Sequence, residues 1–131
     1  ETVRAEFSCP FLEDFHVLSM LGHMHARGTY YGVDMLREGE APERVYEVAE
    51  WDGDYHPYFP HIKNWAPGTF PVATGESLHT TCDWTNYTDT HLGFPEEMCT
   101  TVLVVYPLAS PLICIDGEYV DLGDPGTGPQ R

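Results

Sequence analysis

Apolar stretches in this chain are short, and each soon meets glycine or proline. Twelve Gly and eleven Pro are spread through 131 residues. Between them lie runs rich in Val, Thr, Tyr and Phe, with eight Tyr, six Phe and three Trp in all. Such punctuation breaks helices of ordinary length and favours many short strands. No internal repeat and no helix signal is visible.

Taken in order, residues 7–9 read as a short edge strand. Residues 15–26 read as one long strand, because Gly22 and Gly28 interrupt any helix begun by Phe15, Val17, Leu18 and Leu21. Residues 29–36 are β-rich, and 37–42 form a loop. Residues 44–51 alternate, with Val45, Glu47, Ala49 and Trp51 on one face and Tyr46 and Val48 on the other. Asp52-Gly53 signals a turn, and 55–60 is an aromatic, Pro-rich loop. Turns follow at 66–68 and 74–75, then a strand at 77–84 with Leu78, Thr80 and Cys82 on one face. Residues 86–95 read as a loop. The strand at 98–106 holds Thr-Thr-Val-Leu-Val-Val, expected to be buried on both sides and ended by Pro107. Residues 112–115 and 118–120 flank Asp116-Gly117 as a hairpin. The pattern predicts an all-β antiparallel sandwich or jelly roll, one domain over 1–122 with a loose tail at 123–131. A domain of this length can bury a substantial core.

The formal net charge is −15, from 21 acidic and 6 basic residues. Such a surface repels nucleic acid and anionic membranes, so neither is an expected partner. Four cysteines, Cys9, Cys82, Cys99 and Cys114, are widely spaced and form no Cys-x-x-Cys, which argues against a zinc ribbon or a thioredoxin-type site. Two disulfides are expected, hence an oxidising compartment, but spacing leaves three pairings open. No transmembrane run and no signal peptide is visible. The chain reads as a mature secreted protein or a piece of a longer one. Asn86-Tyr87-Thr88 is a glycosylation sequon.

The chemistry gathers at Gly22-His23-Met24-His25-Ala26-Arg27-Gly28. On a strand, His23 and His25 share a face, with Cα atoms roughly 6.5–7 Å apart. Two imidazoles so placed can chelate one metal ion. Met98 is the expected third ligand. Imidazole suits copper, zinc, iron and nickel, whereas a soft, neutral thioether selects Cu(I). Met24 alternates away from the pair and is assigned to packing. Two rival sites use the same residues. A blue-copper centre would take Cys82, His91 and Met98, though their gaps are wide. A cupin would take His23 and His25 with a later His such as His79, though no Glu follows the pair. His16, His56 and His61 are expected to be surface or hydrogen-bonded residues. His91, nearest to Met98 of the remaining histidines, is the best placed to support a ligand from behind.

With these residues in hand, the chain resembles the C-terminal catalytic domain of the copper type II, ascorbate-dependent monooxygenases, the family of peptidylglycine α-hydroxylating monooxygenase and dopamine β-monooxygenase. The resemblance rests on His23-x-His25-x-x-Gly28, on Gly75-Glu76-x-Leu78-x-x-x-Cys82-x-Trp84-x-Asn86, and on Glu96-Glu97-Met98-Cys99. Gly93-Phe94 and Tyr106-Pro107 are closer to the dopamine enzyme. The order and spacing run from Cys9 to Cys114. The resemblance implies a jelly-roll β-sandwich with disulfides Cys82–Cys99 and Cys9–Cys114. It also implies that His23, His25 and Met98 bind the one copper at which dioxygen is activated for C–H hydroxylation.

Members of that family carry a second copper, on three His of a separate N-terminal domain that these 131 residues do not contain. The electron is therefore expected from another domain, another protein or a small reductant such as ascorbate. The peptide enzyme anchors its substrate with an Arg two residues before the first His and a Tyr four after the Met. Those positions hold Leu21 and Val102 here, so a carboxylate-ended peptide is not the expected substrate. The alternative expectation is a non-catalytic, secreted copper-binding or interaction domain. In either case the expected setting is extracellular, periplasmic or a secretory lumen.

Overall fold

The computed structural model describes residues 2–25, 27–51, 61–85, 98–108 and 110–120. Among them no helix occurs, and ten strands form two antiparallel sheets. The strands are β1 (Thr2–Pro10), β2 (Phe15–His23), β3 (Gly28–Leu36), β4 (Glu43–Val48), β5 (Lys63–Asn64), β6 (Pro71–Val72), β7 (Ser77–Thr85), β8 (Thr100–Tyr106), β9 (Leu112–Ile115) and β10 (Glu118–Val120). One sheet has the order β1-β7-β3-β4. The other has the order β10-β9-β8-β2-β5, with β6 also on β2.

Period-two patterning makes the sandwich. β7 alternates without a break, burying Leu78, Thr80, Cys82 and Trp84. Tyr31, Val33 and Met35 do the same from β3, and Val17, Met20, Leu103 and Val105 face them from the second sheet. Glycine turns close the strands as expected. Gly68 and Gly75 take positive φ in the turns at 66–68 and 74–75, and Asp116 and Gly117 both take positive φ in the β9–β10 hairpin.

Four details differ from the sequence expectation. The edge strand expected at 7–9 runs over the whole of β1, because β7 offers a partner at every position from Thr2 to Pro10. The strand expected over 15–26 ends at His23, where the chain turns and the Gly28 amide donates to the His25 carbonyl. β8 is buried on both sides only at its start: Thr101, Leu103 and Val105 face the core, whereas on the other side Thr100 is buried, Val102 half-buried and Val104 43% exposed. In β4 the ladder slips between Val33 and Asp34, leaving Val45 without a direct partner. That bulge lets Val45, Tyr46 and Val48 all be buried, so Val45 does not share an outward face with Glu47.

Both disulfides join one sheet to the other. Cys9 on β1 pairs with Cys114 on β9, and Cys82 on β7 pairs with Cys99, the residue before β8. Their Cα separations, 6.4 and 5.9 Å, are ordinary for disulfides. Two such bridges fit an oxidising compartment. Among the described residues no helix is long and apolar enough to cross a membrane. Ala26, the Asp52-Gly53 turn, the loops at 55–60 and 86–95, His56, His91, the sequon, Glu96-Glu97 and the tail at 123–131 lie outside the described residues.

Candidate metal centre

His23 ends β2, and His25 follows two residues later on the same side of the chain. Their rings meet edge to face, with centroids 5.2 Å apart and planes at 75°. Two imidazoles sharing one ion at metal–nitrogen distances of about 2 Å bring their centroids to roughly 5–6 Å. The observed pair fits that requirement.

Met98 precedes the neighbouring strand, β8. His23 lies directly opposite Thr100 in the β2–β8 ladder. Met98 stands two residues before Thr100, just beyond the last pair of that ladder. Met24 and Cys99 between them are turned inward and buried, Met24 at 0% exposure, as its assignment to packing required.

Several contacts fix this end of the sandwich. The Cys82–Cys99 disulfide fastens the residue beside Met98 to the opposite sheet. The Cys99 amide donates to a carboxylate oxygen of Asp116, and the Asp116 amide donates back to the Cys99 carbonyl, both at 3.0 Å. Tyr31 is wholly buried and crosses between the sheets. Its hydroxyl donates to the Thr100 carbonyl at 2.7 Å and lies 2.5 Å from Thr101 Oγ1, which also meets Thr80 Oγ1 at 3.1 Å. Burial pushes the Tyr31 phenol far above its ordinary range, so it stays a neutral donor. Its ring lies so close to Gly22 that an added Cβ would sit 2.3 Å from Tyr31 Cε1. One tyrosine therefore sets the approach of the strand carrying His23 and of the strand following Met98. The turn after His25 is tied as well, since the Thr85 amide donates to the Arg27 carbonyl.

The structure separates the rival sites. Cys82 is in a disulfide, so it offers no thiolate to a blue-copper centre. His79 lies on β7 in the other sheet, on its outer face, with Nε2 3.0 Å from Glu6 Oε1, and cannot complete a cupin site with His23 and His25. His16 stands near the far end of β2, opposite Tyr106 and Pro71. The His61 carbonyl accepts a hydrogen bond from the Tyr46 hydroxyl. Among the described residues no group of three or more His, Cys, Asp and Glu side chains could hold a metal ion. Two His and a thioether is a different donor set, suited to soft Cu(I) rather than to a hard or closed structural site.

Tyr31 and Asp116 were not singled out from the sequence as parts of this site. Alternation along β3 shows that one of Tyr30 and Tyr31 must face inward, but not which strand it reaches. From the sequence, Asp116 reads only as a turn residue. No model of a protein family matches the chain, and no curated protein matches it.

Proposed function

We propose that this chain is a copper-dependent monooxygenase-type domain, with one copper held by His23, His25 and Met98. The observation that carries the reading is the pair of imidazoles at the end of β2, with a methionine two residues ahead of Thr100, the residue opposite His23 on the next strand. When bound, copper would supply dioxygen activation for C–H hydroxylation. The chain's own part is to hold two nitrogens and one sulfur in place. Tyr31 and the Cys82–Cys99 bridge fix the strands, and Asp116 fixes the backbone beside the thioether. No general acid–base pair is needed for such a role. The electron would come from a separate domain or protein, or from a small reductant such as ascorbate. The setting would be extracellular, periplasmic or a secretory lumen, where the disulfides persist.

X-ray absorption on the Cu(I)-loaded protein tests the ligand set directly. The expected spectrum has two nitrogen neighbours and one sulfur neighbour, and Met98→Ala removes the sulfur. Copper-dependent oxygen consumption with ascorbate is expected of an enzyme. Copper bound through sulfur without oxygen uptake would instead favour a copper-binding or interaction domain. If Cu(I) does not bind and His23→Ala changes nothing, neither role survives.

A further inference from the structure

The strands at the sheet edges are unequal. β5 and β6 have two residues each and β10 has three, while β4 has six and a bulge in its ladder. Short or bulged edges resist pairing with another chain. β1 is nine residues long, and its ladder with β7 runs from Thr2 to Pro10 without a slip. Among the described residues no strand pairs with its other side, so it presents a long row of open backbone amides and carbonyls. The hairpin tip at Gly117 comes close beside Phe7 and the Ser8 carbonyl, near the end that Pro10 also closes to pairing.

Side chains alternate along this edge. Thr2, Arg4, Glu6 and Ser8 are exposed, whereas Val3, Ala5 and Phe7 are half-buried on the side of the core. Arg4 donates to Asp83 through Nε and Nη2, and Glu6 meets His79 through Oε1. Arg4 Nη1 and Glu6 Oε2 make no hydrogen bond among the described residues.

A two-fold axis normal to the sheet would pair two copies of β1 antiparallel and keep their faces matched. A shift of one residue would turn every side chain to the wrong face, so few registers qualify. Pairing about Glu6 sets Glu6 against the partner's Glu6. Pairing about Arg4 sets Arg4 against the partner's Arg4. Pairing about Ala5 sets Arg4 against the partner's Glu6 on both sides of the axis, Val3 against the partner's Phe7, and Thr2 against the partner's Ser8. Shifts further out shorten the ladder. Opposed unlike charges stabilise a strand pair, and like charges destabilise it. The Ala5 register therefore stands out: it uses the open Arg4 Nη1 and Glu6 Oε2 and covers Val3 and Phe7.

We propose that β1 is a self-association edge, at which two copies of this chain pair antiparallel about Ala5 with Arg4 bonded to the partner's Glu6 twice over. The contact is one strand pair, so the dimer is a weak one. The net charge of −15 on each copy opposes it, and salt screens that general repulsion.

Sedimentation of the intact chain in about 0.15 M salt is expected to show a dimer at concentrations up to about 1 mM. Arg4→Glu and Glu6→Arg should each weaken it at least about tenfold, since each sets like charges opposite one another twice. An equimolar mixture of the two variants should dimerise again, because every Arg of one then faces a Glu of the other. Amide exchange in the unaltered protein keeps the test free of folding defects. Alternate amides between Thr2 and Ser8 should exchange more slowly as concentration rises, while those of β4 do not change. A monomer throughout the series overturns the proposal. So does a dimer that neither variant weakens, a mixture no stronger than its components, or protection that appears on another strand.

Discussion

On the outer face of the four-stranded sheet, charges meet counter-charges. Arg4 grips Asp83 through two hydrogen bonds of 2.7 and 2.8 Å, Arg44 bridges Asp34, Glu47 and the Tyr30 hydroxyl, and His79 reaches Glu6. On the outer face of the six-stranded sheet, the rows beside His23 hold Leu, Val, Ile and Thr, with Glu118 the single charge. Both faces lie on sheets whose inner sides pack into the same core. An ion-paired face keeps a sheet hydrated and discourages face-to-face association. An apolar outer face has no such use, and solubility alone would select against it. Here most of it is not open to solvent: Thr100 and Ile115 are buried, and Leu21, Val102, Ile113 and Val120 are half-buried, so this face is shielded where the other is hydrated.

Removing the Cys82–Cys99 bridge should give the largest effect. Its ends are 17 residues apart, and cross-linking a loop near that length contributes about 3 kcal/mol. The Cys82→Ala, Cys99→Ala double variant should lose that much in urea unfolding and bind Cu(I) without the sulfur neighbour. If sulfur ligation persists, the bridge does not position Met98. Gly22→Ala drives a Cβ into the Tyr31 ring and should cost about 2 kcal/mol, with weaker copper binding in the same titration. Tyr31→Phe leaves the ring and removes the hydrogen bonds to Thr100 and Thr101. It should cost about 1–2 kcal/mol by urea unfolding and broaden the spread of copper–sulfur distances. Arg44→Ala, on the ion-paired face, should change stability by no more than about 1 kcal/mol. The loss should shrink in high salt, and copper binding should not move.

Salt and pH pull the regions apart in a further way. Burial raises the phenol of Tyr31, raises that of Tyr46, and pushes that of Tyr119 up to about 12. An unfolded tyrosine ionises near pH 10. The native state thus holds protons that the unfolded state releases, and stability falls as pH rises above that value. The contribution is full below about pH 10 and is lost as pH climbs through the folded values. Urea midpoints at pH 9 and pH 11 should show the decline, and Tyr31→Phe should make it shallower. An unchanged slope would mean that Tyr31 does not hold its proton by burial.

Much of the sandwich was legible along the chain. Alternation from Ser77 to Trp84 and the turn signals at Gly68, Gly75 and Asp116-Gly117 depend on neighbours in sequence, and local patterns report such things well. The histidine pair was legible for the same reason, since two residues on a strand share a face. Less legible was where a run loses its second partner. Val102 and Val104 look as buried as Leu103 and Val105, yet Val102 is half-buried and Val104 exposed, because they point away from the other sheet.

What the sequence determined by itself is the strand period, the turns, the His23-x-His25 spacing and the supply of one soft sulfur at Met98. These are properties of short segments. Tertiary structure alone decided that His23 faces Thr100, that Leu21 lies on Val102, and that Tyr31 spans the sandwich to hold both strands. Those pairings join residues about 70–80 positions apart, and register across such distances follows from packing and disulfide closure, not from local preference. Spacing left three disulfide pairings open, the resemblance favoured one of them, and the two sheets brought those same cysteines within bonding distance.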